Sequence, residues 1–232
     1  MFAKTNYEFY FVYGRDQENK VEPYIEVDCE EVYENLSLKT YFIIEHFLQT
    51  DHDKLIKMDD DTFINFDKFN LSDIKEDYVG VFLQHSTKQI STIEHWHCIK
   101  TPEFKVPKKL YDVFYAEGGF YMLSRKAAAL CYDEGYDFYV NTPETYVSED
   151  IKVGLCLQKH KEVSILDLRW ECDLNYETAK DFLVIHPVNI LLFDKLANST
   201  SIEETRSILL KYDVLNKNVE RIFYLTKILK TL

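Results

Sequence analysis

Three consecutive aspartates, Asp59, Asp60 and Asp61, stand between the apolar pairs Leu55–Ile56 and Phe63–Ile64. Carboxylates this close repel one another, so the chain must leave them in water or supply a cation. A solvated acidic turn is the plain reading of such a run. The apolar flanks favour another reading: a strand that delivers charge to the carboxyl edge of a sheet, where open α/β folds place their ligands. On an extended chain Asp59 and Asp61 point the same way and Asp60 the other. The first and third then suit a divalent cation, Mn²⁺ or Mg²⁺, which takes oxygen ligands and can hold a diphosphate. Asp60 suits a ribose or sugar hydroxyl.

The chain has 232 residues, enough for one sizeable core. Six glycines and five prolines argue against low complexity. A net charge of −13 excludes nucleic acid as an expected partner, because phosphate backbones require clustered Lys and Arg. Five cysteines, an odd number without C-x-x-C spacing, read as buried reduced thiols. No apolar run reaches the roughly 18 residues of a membrane span. As written, the chain is expected to be soluble and cytoplasmic; as a fragment of a longer protein, it is expected to be luminal.

Apolar runs predict strands at Phe9–Tyr13, Tyr24–Val27, Leu55–Lys57, Tyr78–Leu83, Ser164–Leu168 and Phe182–Pro187, and a strand or turn at Phe63–Phe66. Val32, Leu36, Thr40, Ile43 and Phe47 recur at helical spacing, predicting a helix over 29–49 that starts with an Asp28–Glu31 capping box. Gly118-Gly119 predicts a turn into a short strand, after an irregular aromatic segment containing Tyr111, Phe114 and Tyr115. Ser124 is expected to cap the next helix. Ser148-Glu149-Asp150 is expected to open another, over 150–160. The alternation predicts a three-layer α/β domain. It is expected to span residues 1–190, followed by a C-terminal helical tail over 191–232.

Outside the aspartates, four places hold candidate chemistry. Glu149-Asp150 at a helix start is favoured by the free N–H groups and the dipole, as a plain cap or as a general base. His186, after the apolar run 182–185, is either a structural histidine or a metal ligand at a strand end. Gly118 and Gly119 are either a tight turn or a place where backbone approaches a ligand closely. Trp96 offers a sugar-stacking platform.

Six stretches, in order, carry a family resemblance. Phe9-Tyr10-Phe11-Val12-Tyr13-Gly14, Asp28 with Tyr33-Glu34-Asn35-Leu36-Ser37-Leu38-Lys39-Thr40, and Lys57-Met58-Asp59-Asp60-Asp61-Thr62-Phe63-Ile64-Asn65 are the first three. Trp96, Gly118-Gly119-Phe120-Tyr121-Met122-Leu123-Ser124 and Glu149-Asp150-Ile151-Lys152-Val153-Gly154 complete the set. Together they resemble the inverting β1,3-glycosyltransferases of the galactosyltransferase and Fringe type, glycosyltransferase family 31. The family's first strand and arginine-rich opening segment have no counterpart here, Phe120 replaces a glycine, and Glu117 stands where a small residue is usual.

The resemblance implies a GT-A-like fold with a central mixed sheet, a nucleotide-sugar donor, usually UDP-linked, and Mn²⁺. It implies metal ligation by Asp61 with Asp59 and His186, and Asp150 as catalytic base. Lys39 is implied near the diphosphate, with Asp59, Asp60 and Asp61 on the nucleotide-sugar. Trp96, Gly118, Gly119 and Glu149 are implied on the acceptor side, facing a glycan, glycoprotein or glycolipid. A fragment of such a protein is expected in the Golgi lumen. The expected function is metal-dependent sugar transfer with inversion; the alternative is a non-catalytic nucleotide-sugar-binding protein.

Overall fold

The computed structural model of the chain describes residues 8–59, 62–64, 74–85, 112–142, 147–168 and 184–185. It divides into two units, Met1–Ile56 with Glu76–Leu166, and Lys57–Lys75 with Asp167–Leu232. The expected boundary at 190 and the helical tail lie outside the described residues.

The first unit opens with β1 (Phe11–Tyr13) and β2 (Tyr24–Glu26), which pair in parallel with Val12 opposite Ile25. A turn of 3-10 helix, Tyr33–Asn35, leads into α1 (Leu36–Gln49). The capping box expected at Asp28 does not form. Asp28 instead pairs with Arg15 at 2.8 Å on the surface, and Glu31 turns to Gly14 and Lys39. With its cap drawn away, the segment 29–32 stays out of helix, and the helical run begins only with the 3-10 turn at Tyr33, later than its apolar spacing suggests.

A four-stranded sheet has the order β3 (Lys54–Met58), β6 (Val113–Ser124), β5 (Tyr78–His85), β7 (Ile165–Asp167). β5 and β6 are antiparallel, with an irregularity between Gly80 and Phe82. A parallel pair joins β1 and β2 in a sheet of their own, an antiparallel pair joins β5 and β6 in the four-stranded sheet, and helices pack on the strands; the fold is mixed α/β with a mixed central sheet, as expected. The predicted glycine turn is corrected: Gly118 and Gly119 lie inside β6, a strand of 12 residues that also takes in Phe114 and Tyr115. The register with β5 shifts at this place, from Phe82 opposite Ala116 to Gly80 opposite Tyr121, so the glycines fall in the irregular stretch of an otherwise paired strand.

Three helices follow: α2 (Arg125–Asp133), the short α3 (Tyr136–Tyr139), which periodicity did not indicate, and α4 (Glu149–Leu157). Ser124 caps α2 as expected, its hydroxyl oxygen accepting from the Ala127 N–H at 3.1 Å. The core joins Ile44 and Phe47 of α1, Tyr78 and Phe82 of β5, Tyr121 and Leu123 of β6, Ala128 and Cys131 of α2, and Val153 and Cys156 of α4. Burial of these side chains from water is the main favourable term holding helices on sheet. Gly154 lets α4 lie against β6: a Cβ there would come within 2.5 Å of Tyr115 Cβ and 2.9 Å of the Phe114 carbonyl oxygen.

In the second unit β4 (Phe63–Ile64) pairs antiparallel with β8 (Val184–Ile185), Phe63 opposite Ile185. Among the described residues no helix is long and apolar enough to cross a membrane.

Candidate active site

Asp150 sits in the first turn of α4 and is half-buried. The helix starts there because Ser148 has extended backbone, φ −61° and ψ 155°, and two acids follow where free N–H groups favour negative charge. The approach is anchored from two sides: the Val147 carbonyl accepts from the Ser37 hydroxyl of α1 at 3.0 Å, and the Val147 N–H donates to Asn141 Oδ1 at 3.2 Å. The Asp150 carboxylate then takes three donors. Ser148 Oγ reaches Oδ1 at 2.6 Å, the Ile151 N–H reaches the same oxygen at 2.8 Å, and the Gly118 N–H reaches Oδ2 at 3.1 Å.

Gly118 is a glycine for a local reason. A Cβ on it would lie 3.0 Å from Glu149 Oε1 and 3.3 Å from Asp150 Oδ2. The missing side chain is the space into which both carboxylates pack. Glu149 is 6 % exposed and Asp150 half-buried, so this is an acidic pair packed against a strand rather than a solvated helix end. Gly119 is buried next to Gly118 in the same strand. Four of the predicted site residues, Gly118, Gly119, Glu149 and Asp150, are thus brought together.

Lys39, in α1, has its ammonium paired with Glu31, whose other oxygen accepts from the Gly14 N–H at 2.5 Å. Burial pushes the Glu31 carboxyl up, but Lys39 and the Gly14 N–H outweigh it and hold the group below its ordinary value. This network ties the end of β1 to α1. Lys152, one turn along α4 from Ser148, is also buried and donates to the Tyr139 carbonyl at 2.9 Å. Burial pushes its ammonium down to about 8.

In the second unit, Asp59 follows β3 and pairs with Lys57 at 2.5 Å, while its carbonyl accepts from the Thr62 N–H at 3.1 Å. Asp60, Asp61, Trp96 and His186 lie outside the described residues. Among the described residues no group of three or more His, Cys, Asp or Glu side chains could hold a metal ion. Sequence reasoning missed Ser148 as a donor to Asp150, Glu31 as the partner of Lys39, and Asn141. Spacing was the available signal for the first two: a hydroxyl two residues before an acid, and an acid two helical turns before a lysine.

The mixed α/β fold, with a mixed central sheet and helices packed on it, is consistent with a GT-A-like domain. The galactosyltransferase family model matches residues 7–169, most of the chain, and the chain belongs to the galactosyltransferase family. It is by family a glycosyltransferase, which implies a nucleotide-sugar donor and a glycan acceptor. No curated protein matches the chain.

Proposed function

We propose that the chain is a metal-dependent, inverting glycosyltransferase that moves a sugar from a UDP-linked donor to an acceptor hydroxyl in β1,3 linkage, with Asp150 as general base. The observation that carries this reading is the Asp150 carboxylate fixed at the start of α4 against Gly118. A plain capping acid needs only its own helix; this one is also bonded to the strand across from it. A positioned carboxylate within reach of a hydroxyl is suited to take its proton as the oxygen attacks. Gly118, Gly119, Glu149 and Trp96 are proposed to face the acceptor.

Carboxylate and imidazole donors are of the kind Mn²⁺ takes; Asp59 offers carboxylate oxygens at the end of a strand, where the Lys57 ammonium now pairs with it and a bound cation would replace that partner. The pairing of Phe63 with Ile185 supports including His186, since these two residues stand just after the acidic run and just before the histidine in the chain. Asp59, Asp61 and His186 would hold Mn²⁺ or Mg²⁺, which when bound supplies charge neutralisation to a diphosphate leaving group. Asp60 and Lys39 are proposed on the nucleotide-sugar; Glu31 holds the Lys39 side chain in place.

UDP release from UDP-galactose, UDP-glucose and UDP-N-acetylglucosamine, with Mn²⁺ and a panel of alkyl glycoside acceptors, tests the reading. Asp150→Asn is expected to lower kcat by about 10²–10⁴ while UDP binding by calorimetry is retained. Turnover close to wild type in that variant removes Asp150 from the role. UDP binding without turnover of any pair would make the chain a nucleotide-sugar-binding protein instead.

A further inference from the structure

Two serines in this chain occupy the same position in a helix start and are used differently. Ser124 and Ser148 both have extended N-cap backbone, φ −67° and ψ 163° against φ −61° and ψ 155°. Ser124 does what an N-cap serine ordinarily does, its oxygen accepting an N–H of the first turn, from Ala127 at 3.1 Å. Ser148 makes no side-chain cap bond. Its hydroxyl instead donates to Asp150 Oδ1 at 2.6 Å, a short bond of the kind an ionised acceptor makes.

We propose that Ser148 is a positioning residue for Asp150, and that Oδ2 is the atom of that carboxylate which receives the acceptor's proton. The inference rests on the reading of Asp150 as general base. Each carboxylate oxygen has two acceptor directions. Among the described residues, Oδ1 has both filled, by Ser148 Oγ and the Ile151 N–H, and Oδ2 has one filled, by the Gly118 N–H. The two sets of bonds come from two elements, α4 and β6, so they set the plane of the carboxylate as well as its place. What is left is one direction on Oδ2. In the transfer step the acceptor O–H bond breaks and its proton bonds to Oδ2. The oxygen's electron pair forms the bond to the anomeric carbon, and the bond from that carbon to the diphosphate breaks with its pair leaving on the diphosphate.

Kinetics of Ser148→Ala, Ser148→Gly, Ser148→Thr, Asp150→Asn and the Ser148→Ala/Asp150→Asn double variant separate the possibilities. The assay is UDP release from UDP-galactose, or from the UDP-sugar turned over fastest, with Mn²⁺ and the best alkyl glycoside. Loss of one orienting bond is expected to lower kcat about tenfold in the alanine and glycine variants, with KM for donor and acceptor nearly unchanged. Threonine, which keeps the hydroxyl, is expected to restore most of the rate. Glycine is a tolerated N-cap, so Ser148→Gly keeps the comparison open should the alanine variant fold poorly. In the Asp150→Asn background, Ser148→Ala is expected to have no further effect. Wild-type kcat in Ser148→Ala and Ser148→Gly, with Asp150→Asn inactive, overturns the positioning role alone, as does an equal loss in Ser148→Thr. Activity in Asp150→Asn overturns the general-base reading and this inference with it.

Discussion

One guanidinium closes the end of α1. Arg125 donates through Nη1 to the Leu48 carbonyl at 3.1 Å, through Nε to the His52 carbonyl at 3.1 Å, and through Nη2 to the Thr50 carbonyl, and it lies 5.1 Å from the Phe47 ring centroid. The last carbonyls of a helix have no partner within it, so a planar fork of donors answers a need that a single ammonium cannot. Arg125→Lys is expected to cost about 1–3 kcal/mol in urea unfolding, because bonds from a charged donor to part-buried carbonyls are lost. Nothing in the sequence marks Arg125 for this, since its acceptors are backbone atoms far away in the chain. The same limit applied to Ser148: its place at a helix start was legible, but not the choice between capping the helix and holding the acid. Asp150 and Gly118 were legible as separate candidates, while the bond between them depends on which strand meets which helix.

At the scale of elements, the pairing of α4 with β6 decides the geometry of the candidate site. Gly154 is the point of closest approach, and a methyl group there must displace the Phe114 backbone or Tyr115. Gly154→Ala is expected to destabilise the protein by about 1–3 kcal/mol, measured by thermal or denaturant unfolding, despite alanine's better helix propensity. A stabilised variant would mean that helix and strand are not in backbone contact. Strands rich in aromatic and β-branched residues, and the serine-capped helix α2, were legible because period and cap agree with the tertiary fold. The reading erred where a local signal met a stronger partner elsewhere. Glycines that suggested a turn lie within β6, where its register with β5 shifts, and the acid that suggested a capping box is claimed by Lys39 and Gly14.

Across the first unit, Asp77 links three places in the sequence. Its Oδ1 accepts from the Ser124 hydroxyl at 2.8 Å, and its Oδ2 accepts from the Ser164 N–H and hydroxyl, both at 3.0 Å, and from Lys126 at 3.2 Å. Burial pushes the carboxyl up, but these donors together hold it below its ordinary 3.8. Glu31 is likewise held below 4.5. In both cases the unfolded chain takes up its proton first as the solution is acidified. Their contribution to stability is therefore complete above about pH 5 and is lost as pH falls through the depressed folded values. Asp77→Asn is expected to lower the Tm at pH 7 and to flatten its decline between pH 5 and 3; an unchanged decline would show that Asp77 is not held this way. At this scale the mixed α/β architecture was legible from alternating apolar runs, whereas ties such as Asp77 to Ser164 depend on the folded topology. The tight seat of α4 has a last consequence. A helix that rests on a strand at Gly154 and meets it again through Gly118 behaves as a short beam on a fulcrum. A core change near one end is expected to tilt the other, so residues that do not touch Asp150 can shift its carboxylate from beneath.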